Sequence, residues 1–134
     1  MKAPIRVLLG EDFQPFRQKI RSLLQNSPLS PTIFEASDGL EGATLSAQLQ
    51  PDLIILDIGL PQLDGLQAAQ KMRELSLQSK ILFLIQQSSA DVVAEAFRVG
   101  AIGFVVKTDA VELLAAIAAV LKHEQYISRN AKRL

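Results

Sequence analysis

Asp57 ends the apolar run Leu53-Ile54-Ile55-Leu56 and opens the stretch Asp57-Ile58-Gly59-Leu60-Pro61-Gln62-Leu63-Asp64-Gly65. Two more acids, Glu11 and Asp12, close the run from Ile5 to Gly10, and Lys107 closes Phe104-Val105-Val106. If these runs are neighbouring parallel strands, three carboxylates and one ammonium meet at one edge of one sheet. Such a cluster is costly unless it binds a cation and handles an anion. Adjacent acids suit a hard cation held through oxygen, magnesium above all. A carboxylate can act as a nucleophile and form an acyl phosphate. A metal ion would screen its charge from an incoming phosphoryl group, and Lys107 could reach back as a point charge. Each piece also has a plain alternative. Glu11 and Asp12 could charge the first turn of the next helix, Asp57 could cap a helix or loop, and Lys107 could be an ordinary exposed lysine. The expected coincidence of all four favours the chemical reading. Gly10 is expected to let the backbone turn sharply before Glu11.

Placing these residues requires strands, and five runs qualify: Ile5–Leu9, Thr32–Ala36, Leu53–Leu56, Ile81–Ile85 and Gly103–Val106. Continuous apolar character without alternation suits strands covered on both faces. Between them lie stripes at helical spacing. They are Phe13, Phe16, Ile20, Leu23 and Leu24; Leu40, Ala43, Ala47 and Leu49; Leu66, Ala69, Met72 and Leu75; Val92, Val93, Ala96, Phe97 and Val99; and Val111, Leu114, Ile117, Ala118 and Leu121. Asp38 with Glu41, Ser88 with Asp91, and Asp109 with Glu112 mark helix starts. Pro15 suits a first turn, and Gly100 and Gly103 punctuate the exit from the fourth helix. Five strand–helix pairs in strict alternation predict an α/β fold: a five-stranded, doubly wound parallel sheet between two helical layers. Right-handed crossovers put every strand's C-terminal end at one edge, where ligands of such sheets sit.

The chain has 134 residues, enough for one domain. We expect that domain over residues 1–123, with 124–134 a polar tail or the start of a linker. Fourteen basic and fourteen acidic residues give no net charge, so nothing points to a nucleic-acid surface. Cysteine is absent, which excludes disulfides and thiolate metal sites. Pro4 and Arg6 interrupt any signal-peptide pattern, and no apolar run approaches the roughly 20 residues a membrane helix needs. A soluble cytoplasmic protein is expected. His123, the single histidine, reads as a solvent-facing residue at a helix end. The alanine-rich fifth helix reads either as tightly packed on the sheet or as a partner surface, with weak self-association through it and the first helix, tested by a charge at Ala116.

Taken together, Glu11-Asp12, the Asp57–Gly65 stretch and Gly103-Phe104-Val105-Val106-Lys107 resemble the receiver domains of two-component response regulators. The resemblance runs from about Ile5 to Lys122 and is nearest in style to the NarL/FixJ subfamily. It implies a flavodoxin-like fold and a non-enzymatic signalling module. In such a module Asp57 would take a phosphoryl group from a histidine kinase or phosphotransfer protein. Glu11, Asp12, Asp57 and the backbone carbonyl of Gly59 would hold magnesium, and Lys107 would contact the phosphoryl group. Phe104 would be the switch aromatic, its ring moving inward on phosphorylation. The subfamily usually appends a helix-turn-helix DNA-binding domain, for which the remaining residues are too few. Ile85 departs from the pattern, because the family places Thr or Ser there to hydrogen-bond a phosphoryl oxygen. Ile85 has no donor, and its branched chain is expected to fill space where Phe104 would swing. A pseudo-receiver, a constitutive interaction module, is therefore the competing reading. A flavin or nucleotide binder of similar fold is disfavoured, since no glycine-rich loop opens a helix and the strand ends are acidic.

Overall fold

The structure, a computed structural model, describes residues 4–76, 78–86, 90–107 and 112–128. Its strands are β1 (Arg6–Gly10), β2 (Thr32–Ala36), β3 (Leu53–Asp57), β4 (Lys80–Ile85), β5 (Gly103–Val106) and β6 (Tyr126–Ile127). Its helices are α1 (Gln14–Gln25), α2 (Gly39–Leu49), α3 (Gly65–Leu75), α4 (Ala90–Arg98) and α5 (Leu113–Leu121). All strand pairs are parallel, in the order β2-β1-β3-β4-β5-β6. The order reverses direction between β1 and β3, which opens a crevice beside their C-terminal ends.

The sheet divides the core in two. Leu8, Ile54, Leu56, Phe83, Ile85 and Phe104 face α3 and α4. Val7, Leu9, Leu53, Ile55, Leu84 and Val105 face α1 and α5. Successive residues of each strand go to opposite layers, so a strand covered on both sides must be apolar throughout. The expected strands are all present.

A sixth strand was not expected. Tyr126–Ile127 pairs with β5 inside the segment read as a polar tail. Tyr126 N–H donates to the Ile102 carbonyl at 3.1 Å and Ser128 N–H to the Phe104 carbonyl at 2.8 Å. Two residues are too few to show a period, so this strand left no sequence signal.

Helix starts follow local chemistry. Asp38 caps α2 by accepting from Glu41 N–H at 2.8 Å. Asp64 and Gln67 form a reciprocal capping box on α3. Pro15 occupies the first turn of α1. Ser88 and Asp109, expected partners in the other two starts, lie outside the described residues. His123 adopts φ 64° just past α5 and is exposed, as expected.

The inward faces of three helices are rotated from expectation. α2 buries Gly39, Gly42, Ala43 and Ser46, while Leu40 is 51% exposed. α3 buries Gly65, Ala68, Ala69 and Met72, while Leu75 is 46% exposed. α5 buries Leu113, Ala116, Ile117 and Val120, and its exposed positions are Ala115 and Ala118. Ala116 thus points into the core and is no site for a surface charge. Small residues on the inward faces allow close approach: a Cβ on Gly42 would lie 3.1 Å from Met72 Cε on α3. Phe13, expected on the core stripe of α1, is 61% exposed at its N-cap. Two glycine readings also change. Gly10 completes β1, where a Cβ would lie 2.8 Å from Leu56 Cδ1, so close packing rather than a turn requires it. Gly103 begins β5 against Leu82, and only Gly100, at φ 101°, ends α4.

Candidate functional site

Register brings the site together. Gly10 pairs with Leu56, so Glu11 and Asp57 follow side by side at the ends of β1 and β3. Ile85 pairs with Val106, which places Lys107 just past β5. β4 lies between β3 and β5, so the Lys107 side chain must reach across its end. Lys107 Nζ lies 3.1 Å from Asp57 Oδ2 and 2.7 Å from Glu11 Oε1. Glu11 is fully buried, Asp57 nearly so, and Asp12 is exposed at the rim.

Backbone groups orient the acids. Phe13 N–H donates to Glu11 Oε2 at 3.1 Å, and Gly59 N–H to Asp57 Oδ1 at 3.0 Å. Arg17 donates to the Glu11 carbonyl at 3.1 Å. Burial pushes the Glu11 carboxyl up, against the pull of Lys107 and the Phe13 N–H, and the Asp57 charge adds to the rise. Burial alone would lower the Lys107 ammonium. The carboxylates of Glu11 and Asp57 outweigh it and leave the lysine raised.

Oxygens of Glu11, Asp12 and Asp57 lie within 4.8 Å of one another. Glu11 Oε1 is buried, and the group it meets is the Lys107 ammonium. Three carboxylates this close, one of them fully buried, fit a hard divalent cation. Asp12 and Asp57 open onto a cavity of about 850 Å³ whose walls include Phe13, Phe16, Ile85 and Lys107. Lys107 Nζ also sits 5.0 Å from the centre of the Phe16 ring. Phe16 read as a core residue in the sequence. Its place five residues after Glu11, one helical turn in, was the signal that it could reach the site.

Phe104 and Ile85 lie in one core layer. The Phe104 ring is already fully buried, and Ile85 is buried beside it in the same core layer. The pairing of Phe83 with Phe104 makes Ile85 a diagonal neighbour. Both side chains fit within that layer.

This fold and cluster match a known family. Residues 7–118 fit the model of the response regulator receiver domain. The chain belongs to that family. Transcriptional regulatory protein LiaR of Bacillus subtilis is 38% identical to this receiver domain over 122 residues, covering 90% of this chain and 57% of that protein. Nitrate/nitrite response regulator protein NarL of Escherichia coli is 34% identical over 104 residues, 78% of this chain and 48% of that protein. The chain thus spans about half the length of the curated relatives it matches. A two-component response regulator of the LuxR family from Aurantimonas superposes with TM-score 0.89 at 29% identity, covering 95% of this chain and 91% of that one. Chemotaxis protein CheY4 of Vibrio cholerae superposes with TM-score 0.79 at 28% identity, over 87% and 98%. The resemblance to receiver domains is borne out, and NarL and a LuxR-family regulator stand among the similar proteins. Among the described residues no helix is long and apolar enough to cross a membrane.

Proposed function

We propose that this receiver domain accepts a phosphoryl group on Asp57 from a histidine kinase or phosphotransfer protein. The observation that carries the reading is the meeting of Glu11, Asp12 and Asp57 at the strand ends, with Lys107 on Glu11 and Asp57. An Asp57 oxygen forms the new bond to phosphorus as the bond from phosphorus to the donor breaks. The Gly59 N–H holds the other carboxylate oxygen and so fixes the carboxylate plane. Glu11, Asp12, Asp57 and the Gly59 carbonyl would hold magnesium, which supplies positive charge against the phosphoryl oxygens. Lys107 moves its charge from Asp57 to a phosphoryl oxygen.

The domain acts by protein–protein contact in the cytoplasm and is not itself an enzyme. A receiver segment also matches 36% of a protein-glutamate methylesterase of Methanospirillum hungatei, so the output belongs to whatever such a domain is joined to. Self-association through α1 and the outward face of α5, at Ala115 and Ala118, is part of the same reading. A second reading, the pseudo-receiver, is favoured by Ile85 alone.

Intact mass after incubation with acetyl phosphate and magnesium tests the proposal. One added phosphoryl mass is expected, and Asp57→Asn should abolish it. Full labelling of that variant would remove Asp57 as the acceptor.

A further inference from the structure

We infer that Phe16 is a positioning residue, whose ring holds the Lys107 ammonium over Asp57. The inference rests on the phospho-acceptor reading for its consequence, but its geometry stands apart. Nζ lies 5.0 Å from the ring centre, inside the range of about 6 Å for a cation over an aromatic face. The same Nζ contacts Glu11 Oε1 and Asp57 Oδ2. Lys107 thus has two carboxylates and one ring around it, and its side chain is only 17% exposed.

The ring does something a third carboxylate could not. An ammonium has three donors and no acceptor. A further acid would occupy a donor and hold the charge in place. The ring attracts the charge through its quadrupole and takes no directional hydrogen bond. The ammonium stays over the cavity with a donor available for an arriving phosphoryl oxygen. A leucine would fill the same space without that attraction.

The surroundings fix the ring. Pro15 precedes Phe16 and restricts the first turn of α1. Arg17 follows it, donates to the Glu11 carbonyl at 3.1 Å and pairs with Glu35 at 2.9 Å. The turn carrying Phe16 is therefore tied to the connection that carries Glu11. Phe16 is half-buried beside the cavity and packs only partly into the layer under α1 and α5.

Graded fluorination of the ring tests this, because fluorine weakens the quadrupole with little change in size. Mono-, di- and trifluorinated phenylalanine are placed at position 16. Phosphorylation at Asp57 by acetyl phosphate with magnesium is timed by intact mass. The rate should fall stepwise, by about three- to tenfold at the trifluoro ring, as expected for loss of a partly desolvated cation–π contact. Phe16→Leu should match the trifluoro protein, and Phe16→Tyr should stay within about twofold of the parent. A rate unmoved by fluorination would make Phe16 a packing residue and overturn the inference. The unphosphorylated protein gives a second readout: Lys107 side-chain protons near the nitrogen should shift upfield in the parent and in Phe16→Tyr, but not in Phe16→Leu. If the parent takes up no phosphoryl group, the proposed function fails, and this shift decides the contact alone. Lys107 signals identical in parent and Phe16→Leu would overturn it.

Discussion

Lys107 separates two buried carboxylates that would otherwise face each other across the ends of β1 and β3. Removing a partner from a buried ion pair leaves an uncompensated charge. Lys107→Ala should therefore cost about 1–3 kcal/mol, the scale of an unsatisfied buried group, since the site opens onto a cavity. Magnesium would supply the missing charge, so the loss should shrink when it is present. For the parent protein, magnesium at a hundred times its Kd should raise the melting temperature by roughly 5–10 °C. Asp12→Ala should remove most of that rise, because Asp12 is the exposed acid of the three. Thermal melts with and without magnesium check both. A full rise in Asp12→Ala would move the ion elsewhere.

Elements near the C-terminus are joined through one buried acid. Glu112, at the start of α5, accepts from Tyr126 Oη at 3.1 Å and Ser128 Oγ at 2.5 Å. With backbone hydrogen bonds to Ile102 and Phe104, these contacts hold β6 at the sheet edge. Glu112→Ala should cost about 1–3 kcal/mol, because it takes an acceptor from the buried Ser128 hydroxyl. Hydrogen exchange should then quicken at the Tyr126 and Ser128 amides while the central strands stay protected. Exchange unchanged at those two amides would show that β6 holds without the acid. α5 offers a paired test of its orientation. Ala116→Glu buries a charge and should destabilise by more than about 3 kcal/mol in urea melts. Ala118→Glu faces solvent and should stay within about 0.5 kcal/mol. Equal effects would contradict the observed rotation of the helix.

The molecule as a whole signals only as far as phosphorylation favours one arrangement over another. Ile85 offers no hydroxyl to a phosphoryl oxygen, and the Phe104 ring is fully buried. A hydrogen bond to a charged group contributes about 1.5–3 kcal/mol, so its absence reduces the bias roughly ten- to hundredfold. Beryllofluoride, standing in for the phosphoryl group, should thus shift amide resonances around Phe104 and Val106 only slightly. Ile85→Thr should enlarge the response, at a stability cost of about 1–3 kcal/mol for the lost packing and buried hydroxyl. A full response in the parent, unchanged by Ile85→Thr, would remove the main support for the pseudo-receiver reading.

How much was legible depended on how local the cause was. Apolar runs and helical stripes alternate along the chain, and right-handed crossovers leave few topologies for such a pattern. The layers and the shared edge of Glu11, Asp12, Asp57 and Lys107 follow from that alone. The caps at Asp38 and Asp64 are local as well, since each residue bonds only three positions onward. The rotation of α2 was not local. Its inward positions are Gly39, Gly42 and Ser46, invisible to a hydrophobic count, and contact with α3 selects them. β6 depends on the open edge of β5 and on Glu112, neither visible in two residues. Lys107 takes its place from Glu11, Phe16 and Asp57 on separate elements. The sequence by itself determined which residues lie at the strand ends, because period and handedness are properties of the chain. Tertiary structure alone decided which side chains touch there, because contact is set by elements far apart along it.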